Sequence, residues 1–91
     1  MGDKVFKALA DPTRRHILKL LNSGDKTAGE IADQFRVSAP TVSHHFNVLK
    51  DADLVSARRN GTQVVYSLNT TVLQYIVATL IDAFGRNEVN T

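Results

Sequence analysis

Apolar residues recur at helical spacing in five stretches of the chain, and two further stretches alternate between apolar and polar residues. The pattern predicts elements over about residues 3–10, 12–22, 28–35, 39–52, 54–59, 62–68 and 70–84, of which the fifth and sixth are strands. The chain therefore combines five helices with one hairpin, which stands before the last helix.

Signals for the start of a helix stand where these periodic stretches begin. Thr27 and Glu30 have the spacing of a capping box, in which each side chain satisfies a free backbone N–H of the other residue. Pro12 fits the first turn of a helix, since its missing N–H costs nothing there. The other signals are the caps Asp11, Ser38 and Asn69 and the terminator Gly85.

The hairpin is predicted from the dipeptide of Asn60 and Gly61, which readily accepts the positive φ angles of a two-residue turn. A turn there gives one packing face and one largely polar face. The packing face pairs Ala57 with Val64 and Val55 with Tyr66, and the polar face holds Ser56, Arg58, Gln63 and Val65.

Two short helices joined by a tight turn form a helix-turn-helix, and a hairpin directly after it is a wing. The predicted fold is mainly α with a small β-hairpin: a winged helix-turn-helix of five helices and a two-stranded wing, as one domain over residues 1–91. With 91 residues, 43% of them hydrophobic, the core is small. Because the chain has no cysteine to form disulfides, oligomerisation is the favoured additional support.

The fourth helix has two faces of opposite character. At about 100° per residue, Val42, Phe46 and Leu49 fall in one narrow arc that must face the core. The opposite arc is polar and flat enough to enter the major groove of DNA, which is about 12 Å wide. The candidate base-reading residues are Pro40, Thr41, Ser43, His44 and Asn47. The alternative is that Ser43 and Asn47 are ordinary solvated residues.

Contacts with DNA phosphates are expected near the amino end of this helix and on the wing. The hydroxyls of Ser38 and Thr41, together with free backbone N–H groups, suit a phosphate oxygen at the helix start. The wing is expected to reach the backbone or the minor groove. The candidate backbone-contacting residues are Lys26, Arg36, Ser38, Arg58, Arg59, Asn60 and Gln63. Of these, Lys26 and Arg36 are weaker candidates, as is Arg14. The alternative for the wing arginines is protection of a sheet edge.

Charge and composition narrow the class of partner only slightly. The net charge is +2, and its excess lies in residues 36–63, which carry four basic and two acidic side chains. No stretch approaches the roughly 18 apolar residues of a membrane span, and the start of the chain lacks the apolar segment of a secretory signal. We therefore expect a cytoplasmic protein without membrane insertion.

Four segments in this order resemble the ArsR family of bacterial winged-helix repressors: ALADPTRRHILKLL, TAGEIADQF, VSAPTVSHHFNVLKDADLV and RRNGTQVVYSL. The likeness covers roughly residues 5–84 and is strongest to the metal-independent, SdpR-type autorepressor branch. The resemblance implies a homodimer that binds an inverted-repeat operator and blocks transcription. It also assigns base reading to Ser43 and His44, because VSHH matches the recognition-helix signature of the family.

Many members of this family sense metals, but this chain lacks the corresponding ligands. Where one family site uses cysteines, the chain has Thr27 and Gly29, which do not bind a soft metal. The adjacent His44 and His45 point about 100° apart on a helix and do not share one ion. The positions of a second family site hold Thr70, Val72, Ala83 and Arg86. We therefore expect no metal site and no cofactor.

The last helix is apolar over about half its circumference, which is wider than the stripe of roughly 100° that one-sided packing uses. A symmetric partner chain would bury the surplus, with the first helix of each chain joining the contact. From these two dimerisation helices, over about 3–10 and 70–84, the candidate interface residues are Val5, Phe6, Leu9, Leu73, Ile76, Val77, Leu80, Ile81 and Phe84. The alternative is that the first helix of the same chain covers the whole arc.

No segment contains a recognisable nucleophile with its base, a pair of carboxylates or a phosphate-binding glycine loop, so no catalytic residue is assigned. The predicted function is a sequence-specific regulator of transcription that binds double-stranded DNA, represses as a homodimer at a palindromic operator, and is controlled by a regulatory protein or another ligand. Two alternatives remain: a winged-helix module for protein–protein interaction, and a metal-responsive repressor with an unrecognised site.

Overall fold

A computed structural model describes residues 2–85 of the chain. The elements are α1 (Gly2–Leu9), α2 (Pro12–Asn22), β1 (Lys26–Thr27), α3 (Ala28–Phe35), α4 (Ala39–Asp51), β2 (Val55–Asn60), β3 (Gln63–Leu68) and α5 (Thr70–Phe84). The three strands form one antiparallel sheet in the order β1-β3-β2. The predicted winged helix-turn-helix is confirmed: α3 and α4 form the helix-turn-helix, and β2 and β3 form the wing.

Four helices begin at the predicted capping residues. Thr27 Oγ1 accepts a hydrogen bond from the N–H of Glu30 at 3.1 Å, and Glu30 Oε1 accepts one from the N–H of Thr27 at 2.8 Å. Asp11 Oδ1 accepts from a backbone N–H of the first turn of α2 at 2.7 Å. Ser38 and Asn69 cap α4 and α5 in the same way. These bonds satisfy N–H groups that have no partner inside the helix, so local chemistry determines where each helix starts.

The turn between α3 and α4 contains a left-handed residue that is not glycine. Arg36 has φ 55° and ψ 41°, and its N–H donates to the carbonyl oxygen of Ala32. An L-residue in this region holds its Cβ close to the following carbonyl oxygen, which costs roughly 1–2 kcal/mol. The chain accepts this strain in order to turn into α4, a feature that hydrophobic periodicity does not predict.

The core forms where the helices pack on one another and on the sheet. As predicted, α4 buries Val42, Phe46 and Leu49, of which Phe46 and Leu49 have no exposed surface. The remaining core residues are Val5, Ala8, Ile17, Leu18, Leu21, Ile31, Ala52, Leu54, Val55 and Ile76. Every helix contributes at least one side chain to this cluster, so the one core holds all five helices together.

Two residues predicted to face a partner chain belong instead to this core. Val5 is 3% exposed and Ile76 is 6% exposed, so their assignment to a dimer interface was wrong. Periodicity shows which face of a helix is apolar, but not whether the neighbour that covers it lies in the same chain. Leu9, Leu73 and Leu80 are half-buried against the same core.

Phe46 and Tyr66 connect α4 to the wing. Their rings lie parallel, with centroids 3.7 Å apart and an interplanar angle of 7°. Stacked aromatic side chains remove a large apolar area from water, and burial raises the pKa of the Tyr66 phenol. The pair therefore fixes β3 against the helix that precedes the hairpin.

The hairpin turn lies one residue later than predicted. Gly61 and Thr62 form the turn, while Asn60 stays in β2 opposite Gln63. Gly61 has φ 65°, whereas Asn60 keeps a negative φ. The turn therefore needs one left-handed residue at its first central position, as in turns of type II′, instead of the two that an Asn-Gly turn of type I′ would use.

This shift changes which residues pair across the two strands, but it does not change the face of the sheet on which each side chain lies. Ala57 pairs with Tyr66 and Val55 with Leu68, so the predicted partners Val64 and Tyr66 were wrong by two positions. Side chains alternate with a period of two along a strand, and a shift of two residues leaves each of them on the predicted face.

The short strand β1 was not predicted, because two residues are too few to show a periodicity. It pairs with β3, with Lys26 opposite Tyr66 and Thr27 opposite Val65. Val65, which was predicted on the largely polar face, is only 8% exposed. The sheet is thus one strand wider than the predicted wing, and its second face is partly covered.

Within the described residues 2–85, no helix is both long enough and apolar enough to cross a membrane.

We expect Gly61→Ala to lower the free energy of unfolding by about 1–2 kcal/mol, since alanine would have to adopt the left-handed conformation. A Cβ at Gly61 meets no atom within 4 Å, so the loss would come from the backbone and not from a clash. Gly29→Ala in α3 is the control and should raise stability by about 0.5 kcal/mol, because alanine favours a helix. Urea unfolding followed by circular dichroism measures both changes, and equal effects would contradict the turn geometry.

Candidate nucleic-acid interface

The polar side of α4 is open to solvent. The buried stripe of Val42, Phe46 and Leu49 attaches the helix to the core from the opposite side. All five predicted base-reading residues are exposed, namely Pro40, Thr41, Ser43, His44 and Asn47. Their hydroxyl, imidazole and amide groups offer both donors and acceptors of hydrogen bonds. The structure therefore brings the predicted reading residues together on one helix surface.

The amino end of α4 carries two hydroxyl groups that bond to each other. Ser38 Oγ accepts from the N–H of Thr41 at 3.3 Å and lies 2.9 Å from Thr41 Oγ1. Both residues are exposed, at the positive end of the helix dipole, where an anion is favoured. The Ser38 hydroxyl thus has a structural role as a cap, beside the phosphate contact that the sequence predicts for it.

Arg58 of the wing is engaged in an ion pair. Its Nη1 donates to Asp25 Oδ2 at 3.0 Å and to Ser67 Oγ at 3.0 Å. Hydrogen bonds from Arg58 and Ser67 hold the pKa of the Asp25 carboxyl below its usual value, and the nearby charge of Lys26 acts in the same direction. Asp25 therefore stays ionised near neutral pH and neutralises part of the charge that Arg58 would offer to a phosphate.

Sequence reasoning did not single out Asp25. It lies in the loop between α2 and β1, 33 residues before Arg58, and no local pattern links the two positions. The only signal was the opposite charge itself, which many pairs in the chain share.

The other predicted backbone contacts occupy different parts of the surface. Arg59, Asn60 and Gln63 are exposed next to the hairpin turn. Arg36 is exposed two residues before the cap of α4, which places it beside the amino end of that helix. Lys26 is half-buried in β1. Positive charge thus lies next to the hairpin turn at Arg59, before α4 at Arg36 and in β1 at Lys26.

Arg14, one of the weaker candidates for a phosphate contact, is not on the surface. It is 8% exposed, and its guanidinium donates to the carbonyl oxygens of Lys7 and Ala8 and contacts His45. The phosphate interpretation was therefore wrong for this residue, since the side chain is used inside the fold. His45 is half-buried, in agreement with the prediction that it lies beside the core stripe.

Large apolar side chains remain exposed on α5 and on α1. Val77, Ile81 and Phe84 are 54%, 41% and 77% exposed and follow one side of α5, which we call the α5 stripe. Phe6 of α1 is 55% exposed. Tyr75 is also 60% exposed but lies about 160° around α5 from Val77, and the sequence did not single it out. Of the nine predicted interface residues, Phe6 and the α5 stripe are exposed in the single chain.

Comparison with known proteins gives the family. Residues 11–57 match the family model described as bacterial regulatory protein, arsR family. The chain is also 49% identical over 86 residues to the transcriptional repressor SdpR of Bacillus subtilis (strain 168), an alignment that covers 94% of this chain and 96% of that protein. The chain belongs to the ArsR family.

Solved structures of other ArsR-family proteins share its fold. A crystal structure of an ArsR family transcriptional regulator superimposes with a TM-score of 0.84 at 28% identity, covering 94% of each chain. The homodimeric winged helix-turn-helix DNA-binding domain of Mb0332 from Mycobacterium bovis, a possible ArsR-family regulator, gives 0.74 at 33% identity and covers 88% of this chain and 75% of that one. This ArsR-family protein is a DNA-binding regulator of transcription and not an enzyme.

Among the positions at which the resemblance implies metal ligands, Thr27 has a structural role. The hydroxyl of Thr27 is part of the capping box, and Gly29 has no side chain. Thr70, Val72 and Ala83 lie on α5, while Arg86 lies outside the described residues. Within residues 2–85, no three His, Cys, Asp or Glu side chains are grouped to hold an ion.

Ser38→Ala is expected to lower the free energy of unfolding by about 1 kcal/mol, because the cap of α4 is lost. Ser43→Ala, also on α4 but exposed, should change it by less than about 0.5 kcal/mol. Thermal or urea unfolding of the two variants compares these values. A larger loss at Ser43 than at Ser38 would contradict the assigned positions of the two hydroxyls.

Proposed function

We propose that this protein is a homodimeric transcriptional repressor that reads an inverted-repeat operator with α4. The observation that carries the proposal is the division of α4 into a fully buried apolar stripe and an exposed polar face. A helix anchored in this way has a fixed orientation, so its polar face can dock in a groove as a rigid surface. The Bacillus subtilis relative is named a transcriptional repressor, which supports repression instead of activation.

Base reading is assigned to the exposed face of α4. Asn47 has an amide that can pair with an adenine edge through two hydrogen bonds, while Ser43 and His44 each offer single donors or acceptors. Pro40 and Thr41, at the start of the helix, complete the reading set. The side chains are short or flat, and so allow the helix backbone to approach the base edges closely.

Positioning on the DNA backbone is assigned to groups at both sides of α4. Arg36, Ser38 and the first N–H groups of α4 would bind one phosphate, where charge and helix dipole act together. The wing would place Arg58, Arg59, Asn60 and Gln63 beside the helix, in or along the minor groove. Lys26, half-buried in β1, adds positive charge on the same sheet.

Dimerisation is assigned to Phe6 and the α5 stripe, with Leu9, Leu73 and Leu80 at its edge. The alternative, that α1 of the same chain covers the whole apolar arc, is disfavoured because Val77, Ile81 and Phe84 stay exposed in the single chain. The homodimeric Mycobacterium bovis domain is a structural precedent. Two recognition helices related by a twofold axis would lie about 34 Å apart, one turn of DNA, which requires a palindromic site.

We propose that this regulator acts in the cytoplasm and holds no resident metal. A protein partner or another ligand would release it from DNA. The replaced ligand positions at Thr27, Gly29, Thr70 and Val72 support this proposal. A metal-responsive repressor would need ligands elsewhere in the chain. Release of the DNA complex by added zinc would favour that alternative.

Selection of duplexes from a random pool by the purified protein, followed by affinity measurements at several salt concentrations, tests the proposal. We expect an enriched palindrome and an affinity that falls steeply as salt rises, because phosphate contacts release counterions. A winged-helix module for protein–protein interaction would enrich no sequence and show no such dependence. An enriched sequence without symmetry would contradict binding by a symmetric dimer.

For the roles of single residues, we expect Ser43→Ala or His44→Ala to reduce the ratio of specific to nonspecific affinity by about tenfold, since a base contact is lost. Arg58→Ala should weaken both affinities about equally. Asp25→Asn, which removes the negative charge beside Arg58, should strengthen both. Fluorescence anisotropy with the selected and a scrambled duplex measures the ratio. The reverse pattern would show that the wing reads the bases and that α4 contacts the backbone.

For the dimer, we expect Val77→Asp to raise the dimer dissociation constant on the order of a hundredfold, because an unpaired carboxylate would be buried in the interface. Thr79→Asp places the same charge on the exposed opposite side of α5 and should leave the dimer intact. Sedimentation equilibrium of both variants compares their association. Equal dissociation would show that the α5 stripe is not the interface.

A further inference from the structure

Arg14 joins three helices through one buried guanidinium group. Its Nε donates to the carbonyl oxygen of Ala8 at 2.8 Å, and its Nη2 donates to that of Lys7 at 3.0 Å, both in the last turn of α1. Its Nη1 lies 3.2 Å from Nδ1 of His45 on α4 and 4.0 Å from Oδ2 of Asp11, the cap of α2. A planar fork with five N–H donors can serve acceptors in several directions at once.

The contact with Arg14 fixes the protonation state of His45. A guanidinium group only donates hydrogen bonds, so Nδ1 of His45 must act as the acceptor. An imidazole that accepts at Nδ1 is neutral and carries its proton on Nε2. A second proton on Nδ1 would place an N–H of His45 against an N–H of Arg14. It would also place a positively charged imidazole beside the positively charged guanidinium.

His45 lies between the two functional sides of α4. The preceding residue, His44, belongs to the exposed reading face, and the following residue, Phe46, is in the core. A hydrogen bond at this position therefore resists rotation of the helix about its axis. It also ties α4 to the last turn of α1, a helix that contributes Phe6 to the apolar surface.

We propose that Arg14 is a positioning residue which, through its hydrogen bond to neutral His45, sets the orientation of α4 for DNA, so that specific binding requires an uncharged His45. The inference rests on the proposed function, since it concerns how the reading helix is held. It assigns a role to two residues that contact no base and no phosphate.

The charged neighbours of His45 determine the direction of the pH dependence. Burial lowers its pKa from the ordinary value of 6.5, and the positive charges of Arg14 and His44 act in the same direction, while Asp11 partly opposes them. The pKa is thus lower in the folded chain than in the unfolded chain, which takes up the proton first. The stability contribution of neutral His45 is complete above about pH 6.5 and decreases as the pH falls below it.

The test measures affinity for the selected duplex between pH 7.5 and 5.5 at constant salt. One pH unit below its pKa, an ordinary imidazole is neutral in only about one molecule in ten. If specific binding requires neutral His45, the affinity for the duplex would then fall about tenfold. Because the pKa of His45 is lowered, we expect a measurable loss at pH 5.5 that stays below tenfold.

Two substitutions assign the effect to one imidazole. His45→Asn keeps an acceptor where Nδ1 lies but does not titrate, so its affinity should change less than twofold over the same pH range. His16→Asn is the control: His16 is exposed on α2, and this variant should retain the loss seen in the unchanged protein. Circular dichroism at each pH confirms that every variant is folded. A loss that persists in His45→Asn, or disappears in His16→Asn, would overturn the inference.

Arg14→Lys tests the guanidinium group itself. Lysine keeps the charge but loses the fork, so specific affinity at pH 7.5 should fall severalfold. If this variant does not fold, the His45 variants decide the question alone. Unchanged affinity in a folded Arg14→Lys protein would overturn the positioning role.

A measurement without DNA separates this inference from the proposed function. Nitrogen NMR of the imidazole of His45 reports which ring nitrogen carries the proton, and we expect Nε2 at pH 7.5. A proton on Nδ1 would overturn the inference even if the protein binds its operator. Absence of any DNA binding, together with a proton on Nε2, would instead show that the proposed function is wrong.

Discussion

The rest of the structure depends on the burial of one side of α4. Phe46 has no exposed surface and stacks on Tyr66, while Val42 and Leu49 insert into the core before and after it. This packing decides which side chains face solvent, because a helix with a buried stripe cannot rotate without exposing it. It also fixes the wing, since Tyr66 lies in the central strand of the sheet. The polar surface and the hairpin therefore take their relative position from one hydrophobic contact.

Several polar side chains near the candidate interface also serve the fold. Ser38 caps α4, Arg58 forms an ion pair with Asp25, and Arg14 bonds to carbonyl oxygens of α1. The exposed pair is screened by solvent and contributes little to stability, whereas the buried guanidinium has its partners already in place. A substitution at such a residue changes both folding and binding, so the two effects have to be measured separately.

The α5 helix shows how a small core leads to an apolar surface. Ile76 is buried within the chain, while its neighbour Val77 is more than half exposed. A domain of this size has too few helices to surround α5, so part of the apolar arc has no partner in its own chain. Exposed apolar surface of this kind is typical of an interface. The sequence predicted the excess, but it placed Val5 and Ile76 on the wrong side of the division.

The sequence by itself determined the helices, their caps and the two faces of α4, because these depend on neighbours within a few residues. Capping at Thr27 and the spacing of Val42, Phe46 and Leu49 are local signals of this kind. Only the tertiary structure decided the turn at Gly61, the pairing of Asp25 with Arg58 and the burial of Arg14. These contacts join residues far apart in the chain or depend on how packing selects one of several permitted turns, and no local pattern encodes that choice.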